Sequence, residues 1–174
     1  MRRREALAGL GALGVFGAGA AVAFSDRSVF GDEERIEPVE LPRFEASGSN
    51  SGTETVPEEG RITYVTMFAT WCSTCRAKMG PLGEAADTVS EDVQFLSVTN
   101  EAIGESIQPE DVVDWWHEYD GDWPVAHDVD LELTQQLDAR GVPYSAVIDA
   151  DNRLVWGELG YKEAGEILET IDGA

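Results

Sequence analysis

Cysteine, histidine and lysine are scarce in this chain of 174 residues, which contains two of each. The cysteines form one pair, Cys72 and Cys75, and there is no second pair to complete a zinc site. His117 and His127 stand alone in the sequence, so they are poor candidates for the missing ligands. This distribution disfavours a structural zinc centre, and we expect no bound metal.

Basic residues are also few, with 12 Lys and Arg against 34 Asp and Glu, and the formal net charge is −22. Nucleic-acid binding is disfavoured because phosphate contacts depend on Lys and Arg. So acidic a surface repels itself in dilute buffer, whereas concentrated salt screens the repulsion. We interpret it as the solvated surface of a protein from a halophile. An acidic face for a basic partner is the alternative.

The first 24 residues differ from the rest of the chain. Three arginines at positions 2–4 precede an uncharged apolar run, residues 7–24, that is rich in Gly and Ala. The arginine pair Arg3-Arg4 is typical of a twin-arginine export signal, and Ala21 to Ala23 offers a cleavage site. With about 18 apolar residues, the run is also near the minimum for a membrane span. We therefore predict a protein outside the cytoplasmic membrane, either released or anchored by residues 7–24.

Residues 25–60 are polar and contain several Ser, Gly and Pro, without a sustained apolar periodicity. We interpret this acidic segment as a tether between the membrane and a folded domain. Part of it, from Val39 to Phe44, is a candidate edge strand. The remainder, residues 61–174, has a suitable size for one domain with a single core.

The folded part is organised around Trp71-Cys72-Ser73-Thr74-Cys75, which follows an apolar run typical of a buried strand and precedes helix-forming residues. Unpaired N–H groups at a helix N-terminus favour an anion, which makes Cys72 the attacking thiolate. Cys75 lies one turn further on and can close a small ring that releases a mixed-disulfide partner. A structural disulfide across so short a loop removes little chain entropy, so redox chemistry is the favoured interpretation.

The apolar pattern of the remaining residues predicts alternating strands and helices. We expect an α/β fold, with a central mixed sheet and helices on both faces. The predicted elements are strand 61–69, helix 73–89, strand 93–99, helix 109–119, strand 125–127, helix 131–139, strand 144–149, strand 153–158 and helix 162–172.

Three motifs together resemble the thioredoxin superfamily, in its exported TlpA/ResA-like branch of thiol–disulfide oxidoreductases. They are the Trp-Cys-x-x-Cys element, the segment Gly141-Val142-Pro143, which matches the family's cis-proline segment, and residues 146–153, which look like its strand, turn and next strand. The resemblance implies a thioredoxin fold over residues 61–174, with the central insertion of the TlpA-like branch.

The resemblance also implies roles for individual residues. Cys72 and Cys75 are the nucleophilic and the resolving thiol. Val142, before Pro143, offers backbone groups to a substrate peptide, which pairs with it as an added strand. Trp71 stands where the family has an aromatic residue that shapes the docking surface, with packing in the core as the alternative.

Two positions depart from the family pattern. Thr66 replaces a buried Asp found in many thioredoxins, and Lys78 replaces a Glu of the TlpA-like branch. Without these carboxylates, the proton acceptor for Cys75 is open among Glu84, Glu101 and water. The spacing of Lys78 places it roughly on the helix side that carries the sulfurs, unless its side chain points into solvent. A cation there favours thiolates, stabilises the reduced form and makes the disulfide more oxidising.

The predicted function is dithiol–disulfide exchange with exported proteins, by an enzyme without a cofactor. The branch favours reduction, for example of apocytochrome c cysteines, whereas Lys78 favours the oxidising direction. The expected partners are exported protein thiols or disulfides and a membrane electron donor or acceptor. The alternatives are a redox-inactive acidic binding module and a copper metallochaperone that uses both cysteines and His127. Copper-delivery proteins of this fold usually have three residues between the cysteines rather than two.

Overall fold

A computed structural model describes residues 35–174, which form seven strands and four helices. The strands are β1 Val39–Arg43, β2 Gly52–Val56, β3 Thr63–Phe68, β4 Gln94–Thr99, β5 Val125–His127, β6 Tyr144–Ile148 and β7 Leu154–Leu159. The helices are α1 Ser73–Thr88, α2 Pro109–Glu118, α3 Glu132–Gln136 and α4 Ala164–Asp172.

All seven strands belong to one mixed sheet, in the order β2-β1-β5-β4-β3-β6-β7. The central strand β3 is parallel to β4 and antiparallel to β6, and β5 pairs in parallel with β4. Every residue of β3 and of β4 is buried. Burial on both faces explains why β3 is mainly apolar, whereas half of the residues of β4 are polar and are buried with hydrogen-bond partners.

Side chains of β3 alternate between two apolar clusters, one on each face of the sheet. Tyr64 and Phe68 belong to the first cluster, which also contains residues of α1, α2 and α4. Val65 and Met67 belong to the second cluster, with residues of β1 and of α3. The sheet is therefore covered by helices on both faces, as predicted.

All the elements predicted from residue 61 onward are present, and their ends differ from the predicted ends by at most three residues. The largest difference is at α3, which ends at Gln136 instead of residue 139. The predicted α/β fold class and element order are confirmed.

The tether predicted over residues 25–60 is corrected for residues 35–60. Strands β1 and β2 form an antiparallel hairpin there, and Leu41 of β1 is buried in the second cluster. The strand predicted from Val39 to Phe44 exists as β1, but β2 lies outside it and forms the edge of the sheet. Strand β2 was not predicted because it is polar in sequence, with Val56 as its one large apolar residue.

The predicted export signal or anchor at residues 1–24 lies outside the described residues, as does the start of the predicted tether. In residues 35–174, no helix has the length and apolarity that crossing a bilayer requires.

Candidate functional site

The two cysteines lie where β3 leads into α1, and a disulfide joins them with their Cα atoms 5.2 Å apart. Cys72 is the N-cap residue of α1, and its Sγ accepts a hydrogen bond from the N–H of Cys75 at 3.0 Å. Both side chains are buried. Because N–H groups at the start of a helix favour negative charge, this position favours the thiolate of Cys72 in the reduced protein.

The segment before β6 lies directly beside the disulfide. The carbonyl oxygen of Val142 is 3.7 Å from Cys72 Sγ, and the Val142–Pro143 peptide bond is cis, as the resemblance implies. The N–H of Gly160, just after β7, donates to the carbonyl of Pro143 at 2.8 Å and holds this segment in place. The structure thus brings Cys72, Val142 and Pro143 together.

Trp71 projects from the loop before α1, and 74% of its surface is exposed. Packing in the core is therefore the wrong interpretation of this residue. The indole forms one wall of a surface groove that is also lined by Thr70, Glu101 and Ile107. A large exposed aromatic ring next to the disulfide suits contact with another polypeptide.

The carboxylate of Glu101 holds the loop that carries Trp71. Its Oε2 accepts from the Thr70 N–H at 2.8 Å, and its Oε1 accepts from the Thr70 hydroxyl at 2.9 Å. A third hydrogen bond comes from the Thr99 hydroxyl at 3.2 Å. This carboxylate is engaged in holding the loop, and Glu84, the other carboxylate considered as a proton acceptor, is exposed on α1.

Lys78 points into the protein and not into solvent, with 1% of its surface exposed. Its Nζ donates to Ser145 Oγ at 2.7 Å and to the carbonyl of Gly160 at 3.2 Å. The pKa of Lys78 is lowered from 10.5 to about 8, chiefly by burial and also by the positive charge of Lys162, while the carboxylate of Glu158 opposes the change. The ammonium therefore predominates at neutral pH.

Ser145 connects Lys78 to two residues of β3. The Tyr64 hydroxyl donates to Ser145 Oγ at 3.0 Å, and Thr66 Oγ1 lies 2.8 Å from the same atom. Because Tyr64 and Lys78 both donate to Ser145, the serine's own hydrogen points to Thr66, and the Thr66 hydroxyl faces the carbonyl of Tyr144. Burial raises the pKa of Tyr64 to about 12, so this phenol remains a neutral donor.

Sequence reasoning identified Lys78 and Thr66 but missed Ser145 and the role of Glu101 in holding the loop. The partners lie far apart in sequence, 67 residues for Lys78 and Ser145 and 31 for Thr70 and Glu101. One signal was available for Ser145, since residues of a strand face the same side at every second position. This period puts Ser145 on the same face of β6 as Val147, which is buried in the first cluster, but its place opposite Thr66 depends on the register between β3 and β6.

The copper alternative finds no support in the part of the chain described. Nε2 of His127 lies 2.9 Å from the carbonyl oxygen of Glu101, and its ring lies near that of Phe44. Across residues 35–174, no cluster of three or more His, Cys, Asp and Glu is arranged to hold a metal ion.

Comparison with known proteins places these features in a family. The Redoxin family profile matches residues 36–172. The chain is similar to StoA from Bacillus subtilis, with a TM-score of 0.67 and 16% identity over 78% of this chain and 97% of StoA. It is also similar to the exposed lipoprotein thioredoxin Etrx1 from Streptococcus pneumoniae, with a TM-score of 0.66 and 26% identity over 79% and 100% of the two chains.

A thiol:disulfide interchange protein of the DsbE type from Chlorobium tepidum gives a TM-score of 0.64 and 20% identity, over 80% of this chain and 94% of its own. No curated protein matches the chain. The structural likenesses show the thioredoxin fold. The family profile extends from the segment before β1 to the end of α4, so it includes the hairpin as well as the cysteine pair. With that coverage, and with a disulfide at the start of α1, this chain belongs to the Redoxin family as a thioredoxin-like thiol–disulfide oxidoreductase.

Proposed function

We propose that this oxidoreductase works outside the cytoplasmic membrane, where it exchanges disulfides with the cysteines of exported proteins. The observation that carries the proposal is the position of Cys72 at the N-terminus of α1, with its sulfur beside the backbone of Val142. The similarity to an exposed lipoprotein thioredoxin supports the location, together with the arginine pair and the apolar run of residues 7–24.

In the reducing direction, the thiolate of Cys72 attacks one sulfur of a substrate disulfide. The substrate S–S bond breaks, a mixed disulfide forms on Cys72, and the leaving substrate thiolate takes a proton from water. The sulfur of Cys75 then attacks Cys72 Sγ, which forms the disulfide seen in the structure and releases the second substrate sulfur. Oxidation of a substrate dithiol is the same sequence in reverse.

Two features of the site suit a polypeptide substrate. The backbone of Val142, next to Cys72 Sγ, can pair with an extended segment as an added strand. The exposed ring of Trp71 can cover the residues that flank the substrate cysteine. The TlpA/ResA-like pattern supports reduction as the direction, with apocytochrome c cysteines as one substrate class and a membrane protein as the electron donor.

Trapping experiments test the two cysteine roles. A Cys75→Ala variant keeps the nucleophile but cannot resolve, so we expect it to accumulate mixed disulfides with exported proteins on non-reducing gels. The matched Cys72→Ala variant should trap far less. The assignment fails if Cys72→Ala traps as much as Cys75→Ala. The alternative of a redox-inactive binding module gains support if neither variant traps and the wild type reduces no insulin disulfide.

Export can be tested separately. Replacing Arg3 and Arg4 together by Lys should leave the full-length protein in the cytoplasmic fraction, because twin-arginine signals depend on that pair. Arg2→Lys is the matched control, since it changes one neighbouring arginine and leaves the pair intact. Export of the double variant at the wild-type level would contradict the twin-arginine route.

A further inference from the structure

The chain has two lysines, Lys78 and Lys162, and they lie close enough to interact electrostatically. Lys78 is buried on α1, and Lys162 lies close enough to lower its pKa. Lys162 is paired with Glu158 at 3.0 Å, whereas both hydrogen-bond acceptors of Lys78 are neutral oxygen atoms, on Ser145 and Gly160. The charge of Lys78 is thus stabilised by the dipoles of the Ser145 hydroxyl and the Gly160 carbonyl, and by the more distant carboxylate of Glu158.

Cys75 and Lys78 stand three residues apart on α1, and both are buried on its inner side. Residues with this spacing are neighbours on a helix surface, with Cβ atoms about 5–6 Å apart. Solvent screens charges little in such a position, so a cation strongly favours an anion one turn away.

The carboxylates considered as proton acceptors for the Cys75 thiol are not placed for that role. The carboxylate of Glu101 is occupied by Thr70 and Thr99, and Glu84 is exposed on α1. The buried hydroxyls near the site belong to a network whose members already donate to one another. Neither of these two carboxylates is therefore a free, buried proton acceptor for Cys75.

We propose that Lys78 is a positioning residue of the second exchange step: its buried ammonium stabilises the thiolate of Cys75, so that the thiol proton leaves to water without a dedicated base. This inference rests on the proposed role of Cys75 as the resolving thiol. It also explains how the chain functions with Lys at a position where the TlpA-like pattern has a carboxylate.

The step balances without any outside oxidant. The thiol of Cys75 gives its proton to water, and the resulting thiolate attacks Sγ of Cys72 in the mixed disulfide. The bond between Cys72 and the substrate sulfur breaks as the Cys72–Cys75 bond forms. The substrate sulfur leaves with the electron pair and takes up a proton from water.

The groups that face Lys78 set the pH range of this effect. They are Tyr64 on β3, Ser145 on β6, and Glu158 and Lys162 at the end of β7 and beyond it. Tyr64 and Ser145 are neutral near pH 7, and Glu158 and Lys162 are paired. The ammonium of Lys78 is therefore the charge that changes as the pH rises through about 8.

The first experiment measures the thiolate of Cys75 directly. In a Cys72→Ser background, the absorbance of the thiolate near 240 nm gives its fraction as a function of pH. Adding Lys78→Met should reduce that fraction about tenfold at pH 7.5, because a one-unit rise in the pKa of a thiol has this effect. Lys162→Met is the matched control and should leave it within about twofold. An unchanged fraction with Lys78→Met would overturn the proposal.

A second experiment leaves Lys78 in place, so it does not depend on the folding of the Met variant. Labelling lysine with ¹³C at Cε gives two signals from the full-length chain, because it contains two lysines. Lys78 should titrate at higher pH in the Cys72→Ser variant than when Cys75→Ser is added, whereas Lys162 should titrate alike in both. Equal titration of Lys78 would contradict the coupling.

These outcomes separate the inference from the proposed function. If Cys75→Ala traps substrates and Lys78 shows no coupling to Cys75, the exchange function stands and the role of Lys78 fails. If the coupling is present and no variant traps a substrate, the electrostatic finding stands and the proposed protein substrates fail.

Discussion

Thr70 and Glu101 are joined by two hydrogen bonds, although 31 residues separate them in sequence. Thr70 follows β3 and Glu101 follows β4, and these strands are parallel, so their C-terminal ends lie at one edge of the sheet. The disulfide is at this same edge, since Cys72 is two residues beyond Thr70. The two hydrogen bonds therefore anchor the loop that leads to Cys72 to the ends of two buried strands.

Replacing Glu101 by Ala should loosen this loop. The change removes the acceptor of three hydrogen bonds. Glu101 is only partly buried, so water can satisfy some of the donors that are left, and we expect the free energy of unfolding to fall by about 2–4 kcal/mol, less than the sum of three separate bonds to a charged group. Turnover of insulin disulfides should fall as well. Urea denaturation and an insulin reduction assay measure the two effects.

Glu105→Ala is the control for this prediction, because Glu105 is an exposed carboxylate in the turn after Glu101. Changes at such surface sites usually stay within about 0.5 kcal/mol. A Glu101→Ala protein as stable and as active as Glu105→Ala would show that the hydrogen bonds to Thr70 do not hold the loop.

The central part of the fold was predictable because its signals are local. The buried strand before Cys72 is a mainly apolar run that Thr66 interrupts, and α2 places Val112, Trp115 and Trp116 at helical spacing in the core. Strand β2 lacks such a signal. Its pairing depends on β1 and on the side chain of Gln94, which donates to Glu54 and to the carbonyl of Thr55 from a distant part of the sequence.

In the candidate site, too, positions on one helix were predictable from the sequence, whereas contacts between distant strands were not. The helical spacing of Cys75 and Lys78 is a local signal, and it suffices to place the lysine on the side of α1 that carries the sulfurs. Its partners on other elements were not predictable from spacing, because they depend on how β3, β6 and β7 are paired. The register that sets Thr66 opposite Ser145 explains how a buried lysine is accommodated without a direct carboxylate partner.

Trp71→Ala should weaken the binding of protein substrates and leave the reaction with small disulfides nearly unchanged. If the exposed indole contacts the substrate polypeptide, its removal should raise KM for a protein disulfide about three- to tenfold, which corresponds to about 0.7–1.4 kcal/mol of lost contact. The rate with a small disulfide such as hydroxyethyl disulfide should change little. Trp71→Phe keeps an aromatic ring and is the matched control. Equal losses with both substrates would assign Trp71 a structural role instead.

Burial of Lys78 also predicts how stability varies with pH. The pKa of Lys78 is about 8 in the folded protein, against the ordinary value of 10.5 for a solvated lysine, so between these values the unfolded chain binds more protons. Unfolding is therefore disfavoured as the pH rises through this window, and stability increases by up to ~3 kcal/mol at about 1.4 kcal/mol for each pH unit. Below pH 8 Lys78 is protonated in the folded protein, so the unfavourable free energy of burying its ammonium is present in full.

The measurement for this prediction is the difference in unfolding free energy between wild type and Lys78→Met at pH 7 and at pH 9.5. Subtracting the variant removes the contributions of other titrating groups, among them Tyr64, whose raised pKa gives an opposite trend above pH 10. The wild type should gain stability relative to the variant over this range. A constant difference would mean that Lys78 does not change its charge there.

The acidic composition predicts a strong dependence of stability on salt. At a formal net charge of −22, the carboxylates repel one another in the folded state, and the screening length shortens from about 10 Å at 0.1 M salt to about 3 Å at 1 M. The melting temperature should therefore rise by several degrees between these concentrations of KCl at pH 7.5. At pH near 4.1, the isoelectric point of the sequence, many carboxylates are protonated and the same addition of KCl should have a much smaller effect. An equal rise at both pH values would assign the effect to general salting-out and would remove the electrostatic argument for a halophilic surface.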